Sequence, residues 1–489
     1  MLTPAEELGL SGMNLALRVR KAINRLPEEE LAGMLLRVRE ESARRHLVYM
    51  REGREDVINV LACPITMLPD QHSYIHAVCL TMDRALKSLA VLYWTDLEVQ
   101  RILKLPPGEE EWLSGCRGKS HEESDPVFGR LDAVVDPRSP TWKESLRFLE
   151  PNMSGIGGLH LVPTCEGIIR DVVFPIIREM EPDLQLETGR DIRDLLVEAM
   201  LDHLKALGRP ARTLCFVEPL SDATGTVEQE DLARYIHDRF GMKALHADPS
   251  SLSIEKGEVV FRGDSIDLAY RDYSVADLLA LAKKGVDVEP MRRLFAENRM
   301  VSSITAEIDQ KSCWEVLTDP AIIASHFDSD ERQLFRRHVP WTRLVGDRKT
   351  VLPDGRTGDL LEHLRKEHDR FVLKPNRSYG GDGVVIGHAL SLAEWDAAIE
   401  EALAGPDLWV VQRLAGIPVH EFPVLGPDGR VHSEPFHTVM GFASTRDGLA
   451  TMGRASQKQV VNIAQRGGMC AVVTGHPPGA LVGPSGRRA

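Results

Sequence analysis

The chain has 489 residues, 43% of them hydrophobic and 27% charged, with a formal net charge of -14. That composition suits a globular protein with more than one core, and the acidic balance argues against general nucleic-acid binding, which needs a basic surface to neutralise phosphates. Seven scattered cysteines form no C-x-x-C pair, so neither a zinc site nor a disulfide framework is expected. There is no basic-then-apolar opening segment and no apolar run of roughly 18 to 20 residues. The expectation is a soluble, cytoplasmic protein with no membrane partner.

Residues 1–115 read as helical. Leu15 to Arg45 carries leucines and valines at helical spacing, and His76 to Leu105 repeats the pattern before Pro106-Pro107-Gly108. The period then changes: Arg130 to Asp136 and Leu146 to Glu150 read as two short strands, separated by a stretch with Pro137 and Pro140, within a unit spanning 116–205. A third unit, 206–297, has the order strand (Thr213 to Val217), polar loop (Ser221 to Thr226), helix (Glu228 to Phe240) and strand (Met242 to His246). That order is the grammar of a small parallel α/β domain. Val259 to Phe261 and Ile266 to Tyr270 then read as a hairpin-like pair. The last unit, 298–489, offers a strand at Phe371 to Lys374, a loop at Arg377 to Gly383, a strand at Val384 to Gly387, a helix at Leu392 to Leu403 and a strand at Trp409 to Gln412. Only the last dozen residues lack a pattern.

Three stretches carry chemistry. In Phe371 to Gly387, Lys374 ends an apolar strand, and Gly380, Gly381 and Gly383 lie in the turn to the next. Glycines let backbone N–H groups approach a polyphosphate, and the lysine adds a fixed positive charge. The same pattern also suits a plain turn. It is neither a Walker loop nor a dinucleotide fingerprint, because strand follows strand and no Gly-Lys-Ser/Thr opens a helix. Gln412 ends a strand of the type that borders a purine, and Lys311 lies at a helix start in Asp309-Gln310-Lys311-Ser312. The second stretch pairs Arg130-Leu131-Asp132 with Glu150-Pro151-Asn152, giving hard oxygen ligands suited to magnesium. Arg130 shares a strand face with Asp132 and could steady a phosphoryl group; a surface ion pair with turn residues is the alternative. The third, Gly453-Arg454-Ala455-Ser456 followed by Asn462 and Arg466-Gly467-Gly468, suits either a phosphate or substrate clamp or a solvated turn.

Taken together and in order, these motifs resemble the ATP-grasp superfamily. Asn462 to Gly468 is similar to the Asn-x-x-x-Arg-Gly-Gly pattern of the ribosomal-protein glutamate ligases, after which a helix and the metal strands ordinarily follow. Here the helix and metal strands stand at the front of the chain, so the chain resembles the circularly permuted ATP-grasp proteins and the synthetase domain of glutathionylspermidine synthase. The resemblance covers roughly residues 75 to 475. It implies an α/β (α+β) circularly permuted ATP-grasp fold, with residues 1–115 as a helical region of the core, 116–205 carrying the metal strands, 206–297 as a substrate-side domain and 298–489 as an ATP lobe with a glycine-rich lid.

It also implies ATP, two Mg2+ ions, and a ligase that joins a small-molecule carboxylate to an amine (amino acid, peptide or polyamine) through an acyl phosphate. Alternatives are an ATP-grasp phosphotransferase and a non-catalytic nucleotide-binding protein. By motif match Asp132, Glu150 and Asn152 take the metals, and Lys311, Lys374 and Gln412 take ATP with the glycines. Arg130 and Arg454 are catalytic, and Ser154, Arg271 and Asn462 are substrate-site candidates. Two departures stand out: no cysteine–histidine amidase half is present, and Met153 to Gly158 replaces the usual Asp-Thr-Pro after the metal asparagine.

Overall fold

The computed structural model describes residues 4–51, 53–220, 225–226, 228–463 and 466–476. The expected patternless tail and part of the polar loop 221–226 lie outside them. At the centre is an eight-stranded, mostly antiparallel sheet that draws on both ends of the chain. Along its main path lie Val60–Met67, Gly468–His476, Gly448–Ser456, Val431–Thr445, Arg130–Val134 and Arg147–Asn152. Val419–Leu425 and Gln185–Thr188 pair at its sides. The helix Pro69–Thr95 packs across this sheet and buries Ile75, Met82, Leu86 and Leu89.

Two of the smaller sheets have four strands each. Thr213–Val217, Lys243–Ala247, Leu268–Arg271 and Met300–Val301 form an all-parallel sheet, with Gln229–Phe240 as a crossover helix. Thr342–Leu344, Trp409–Arg413, Phe371–Pro375 and Val385–Ile386 form an antiparallel sheet. Behind it, Trp395 and Ile399 of the helix Leu392–Ala404 and Leu360 and Leu364 of Leu360–Lys366 close a separate apolar core.

Three expectations are corrected. Residues 1–115 are not wholly helical: after Pro4–Asn24 and Glu28–Arg44 come the strands Val48–Arg51, Arg54–Val57 and Val60–Met67. Val60–Met67 is buried along its whole length, so it shows no alternation and its apolar run has no period to distinguish strand from helix. The hairpin-like pair expected at Val259 to Phe261 and Ile266 to Tyr270 is shorter than read: it closes through Asp264–Ser265, with Ile266 N donating to the Val259 carbonyl at 2.9 Å. Glu258–Phe261 pairs with Ser253–Glu255 and Asp264–Ser265, whereas Leu268–Arg271 enters the parallel sheet beside Thr213–Val217. Finally, 298–489 is not one lobe. Met300–Val301 joins the parallel sheet, strands between Thr342 and Arg413 build the smaller antiparallel sheet, and the strands from Val419 onward complete the central one. All seven cysteines are buried and unbonded. Among the described residues no helix is long and apolar enough to cross a membrane.

Candidate nucleotide and metal site

The strands Arg130–Val134 and Arg147–Asn152 are antiparallel, with Arg130 opposite Asn152 and Asp132 opposite Glu150. Residues two apart on a strand share a face, and directly opposed residues share it across the pair. The register therefore gathers all four side chains on one side of the sheet. The register slips just beyond, where Ala133 opposes Phe148, so Leu149 is the extra residue of a bulge and its backbone is left out of the ladder. Its carbonyl accepts from Gln412 Nε2 at 3.2 Å and faces Lys374 Nζ at 3.5 Å. The irregularity thus joins the central sheet to the smaller antiparallel one.

Charge is concentrated here. Arg130 donates from Nε to Asp132 Oδ1 at 2.8 Å and from Nη1 to the Gly157 carbonyl at 2.5 Å. Arg454 Nη2 holds the other oxygen of Asp132 at 2.7 Å. Although Asp132 is buried, these two guanidinium groups keep its carboxyl down at about 2, so it is ionised at neutral pH. Gly441, opposite Asp132 on the next strand, makes this packing possible: a Cβ there would lie 2.5 Å from Arg130 Cδ and 2.9 Å from Asp132 Oδ1.

Lys311 Nζ lies 3.3 Å from Glu150 Oε2 and donates to the Ser378 carbonyl at 2.5 Å, so it ties the metal strand to the glycine loop. Lys374 donates to Gln412 Oε1 at 2.9 Å, and burial brings its ammonium down to about 8. Gly380, Gly381 and Gly383 all have positive φ (+72°, +74° and +70°), a region open to glycine at little cost. Gly381 also packs against Val460, where a Cβ would come within 2.7 Å of Cγ1.

Asp132, Glu150, Lys374, Gly381, Gln412 and Arg454, with Asn462, line one cleft enclosing about 730 Å³ of space open to solvent. Its remaining wall is largely aliphatic, including Val372, Ile386, Leu414, Ile417 and Val439. An apolar slot with polar groups at one end suits a planar base attached to a charged tail. Two sequence candidates lie elsewhere. Arg271 is fully buried, paired with Glu307 and bonded to the carbonyls of Ser302, Tyr273 and Ser303. Ser154 lies half-buried on the loop after Asn152, and its backbone N–H reaches Asp309.

Asp309, two residues before Lys311, carries no motif role of its own in the sequence. It is buried, accepts from Met153 N at 2.6 Å, and burial raises its carboxyl to about 7. Glu228 anchors the far end of the same loop, accepting from the backbone N–H groups of Gly158 (2.6 Å), His160 (2.8 Å) and Leu161 (2.8 Å). The loop that replaces Asp-Thr-Pro is thus held by Asp309 at its start and Glu228 at its end. No local sequence signal marks either contact, since the partners are 156 and 70 residues apart in the chain.

Among the described residues no three His, Cys, Asp or Glu side chains cluster as a metal site. The expected oxygen set is Asp132, Glu150 and Asn152: the Asn152 amide nitrogen faces the Arg130 carbonyl at 3.4 Å and leaves the amide oxygen as an acceptor, whereas both oxygens of Asp132 are already held by Arg130 and Arg454. Few protein carboxylates beside a polyphosphate suit Mg2+, which takes its remaining ligands from phosphate and water. Glu150 and Asn152 offer oxygens of the kind that ion takes, and Asp132 would join them only on exchanging an arginine contact.

No family model matches the chain. Over 201 residues it is 26% identical to the ATP-grasp enzyme ankG of Aspergillus thermomutatus, a match covering 39% of this chain and 38% of that protein. The similarity thus spans well under half of the curated relative's length. Among solved structures, a glutathione synthetase-like effector (GSS30) of Globodera pallida in apo form superposes with a TM-score of 0.58, over 92% of this chain and 98% of that one, at 11% identity. A RimK domain protein ATP-grasp from Sphaerobacter thermophilus matches over 52% of this chain and 97% of its own at 16% identity, with a TM-score of 0.25 that carries no weight. The chain therefore has a mixed α/β fold like that of a glutathione synthetase-like protein, and part of its sequence is similar to an ATP-grasp enzyme.

Proposed function

We propose that this protein is an ATP-grasp ligase that joins a small-molecule carboxylate to an amine through an acyl phosphate, releasing ADP and phosphate. One observation carries the proposal. Four cations (Arg130, Arg454, Lys311 and Lys374), each at most a tenth exposed, converge beside the carboxylates of Asp132 and Glu150, with Glu228 also acting on Arg130 and Asp309 on Lys311. Desolvated cations converging at the polar end of an apolar slot favour an anionic ligand, and a triphosphate supplies that anion.

In this reading Lys374, Lys311 and the glycine loop hold the phosphates, while Gln412 borders the base. Arg130, oriented by Asp132 and the Gly157 carbonyl, faces the transferring phosphoryl group and then the acyl phosphate. Mg2+ held by Asp132, Glu150 and Asn152 would neutralise charge on the phosphates. Gly380 to Gly383 forms a lid that excludes water, as an acyl phosphate requires. The carboxylate and amine enter beside the loop Met153 to Gly158, with Ser154 and Asn462 as contacts, and the amine class is an amino acid, peptide or polyamine. Arg271 serves the fold rather than the substrate.

The chain order, with the metal strands ahead of the ATP lysines, is that of a circular permutation. The central sheet supports this, because Arg130–Val134 pairs directly with Val431–Thr445.

The test is ADP release in pools of carboxylates and amines. Release should require both pools and Mg2+, and Glu150→Gln should lose it while retaining the wild-type melting temperature. Full activity in Glu150→Gln would put the metal site elsewhere, and release with a carboxylate alone to a stable phosphorylated product would replace ligase by phosphotransferase.

A further inference from the structure

Thr342, Gln412 and Lys374 form a row on one face of the smaller antiparallel sheet. Thr342 lies directly opposite Gln412, and Val372, two residues before Lys374, lies opposite Gln412 on its other side. Opposed residues and residues two apart share a face, so the three side chains project together. Lys374 and Gln412 line the nucleotide cleft, whereas Thr342 is fully buried and does not.

The hydrogen bonds along this row run in one direction. Lys374, which can only donate, reaches Gln412 Oε1 at 2.9 Å. The Leu149 carbonyl, which can only accept, takes an N–H of Gln412 Nε2 at 3.2 Å. Thr342 points its single O–H at the Pro340 carbonyl at 2.9 Å, so its oxygen accepts from Nε2 at 3.1 Å. A donor at one end and two acceptors at the other fix which way the amide faces. Both N–H groups of Gln412 are thereby used, and its oxygen is engaged by the lysine. Burial already brings the Lys374 ammonium down to about 8, and an acceptor fixed beside it favours the charged form. We infer that Gln412 is a positioning residue rather than a reader of the base: backed by Thr342, it holds the Lys374 ammonium at the polyphosphate end of the cleft. The inference rests on the proposed role of that cleft as a nucleotide site.

The test separates base from phosphate. The full-length protein is titrated calorimetrically with Mg-ATP and with Mg-tripolyphosphate, which has no base, as wild type, Gln412→Met, Thr342→Val and Thr342→Ser. Gln412→Met should weaken both ligands by the same factor, at least about tenfold, the loss of one hydrogen bond to a charged group. Thr342→Val should weaken both by about two- to tenfold, the loss of a neutral one, and Thr342→Ser, which keeps the hydroxyl, should bind like wild type. Melting curves verify that each variant is folded, and if Gln412→Met is not, the Thr342 pair decides alone. A Gln412→Met protein that loses ATP affinity but keeps tripolyphosphate affinity would make Gln412 a base contact and overturn the inference. So would unchanged binding of both ligands, equal losses in Thr342→Ser and Thr342→Val, or wild-type protein that binds ATP and not tripolyphosphate. Wild-type protein that binds neither would instead remove the nucleotide reading itself, and the inference with it.

Discussion

Gly441→Ala is the most informative single substitution in the candidate site. Gly441 lies in an extended strand between Asp132 on one side and Met452 on the other, so alanine is acceptable to the backbone and only the new methyl matters. An ideal Cβ stands 2.5 Å from Arg130 Cδ and 2.8 Å from Nε, about 0.9 Å short of ordinary van der Waals contact for the nearer atom. Arg130 cannot swing away cheaply, because it is held by Asp132 and by the Gly157 carbonyl. Overpacking costs about 1–3 kcal/mol, and a lost charge-assisted hydrogen bond a further ~1.5–3 kcal/mol. If Arg130 stabilises the transferring phosphoryl group, its displacement should lower kcat by roughly 10²–10³-fold, the size seen when one such donor is removed. The assay is steady-state ADP release alongside thermal melting, with ATP affinity measured separately. The expected pattern is a modest fall in melting temperature, near-normal ATP binding and a large loss of kcat. Wild-type kcat in a folded Gly441→Ala protein would refute the role given to Arg130.

Other consequences follow from buried charge. Asp309 has its carboxyl raised to about 7 from 3.8 by burial, so its folded form holds a proton that the unfolded form has lost. Its contribution to stability therefore declines as pH rises from about 4 to about 7, by an amount on the order of a few kcal/mol. Asp309→Asn should raise the melting temperature more at pH 8 than at pH 5, and an equal shift at both would contradict the assignment. Lys374, lowered to about 8, should lose its charge as pH rises through that value, so calorimetric ATP affinity should weaken above pH 8 in wild type and not in Lys374→Arg. Arg271→Met leaves Glu307 buried and unpaired, which should cost about 3–5 kcal/mol in denaturant unfolding. Arg271→Met/Glu307→Leu should recover much of that, and a substrate KM that rises without loss of stability would return Arg271 to the substrate site.

The sequence revealed the site unevenly, for physical reasons. Arg130, Asp132, Glu150 and Asn152 were legible because a strand's period of two and one antiparallel pairing bring them to one face. Lys374 and Gln412 were legible as ends of apolar strands, and they proved to be diagonal neighbours in one ladder, with Val372 opposite Gln412. Arg454 had the outline of a turn residue, yet it lies mid-sheet opposite Val439, because nothing local distinguishes a buried arginine from a solvated one. The bulge at Leu149, the glycine under Arg130 and the carboxylate of Asp309 depend on contacts across more than a hundred residues, and short windows of sequence do not encode them. Val60–Met67 escaped because a strand buried on both faces has no alternation.

The most direct measurement is hydroxylamine trapping with ATP, Mg2+ and a panel of carboxylates in the absence of any amine acceptor. The account predicts hydroxamate from at least one acid, in step with ADP, and none from Asp132→Asn or Lys374→Met. Tight ATP binding with no hydroxamate from any acid that otherwise stimulates ADP release would contradict it.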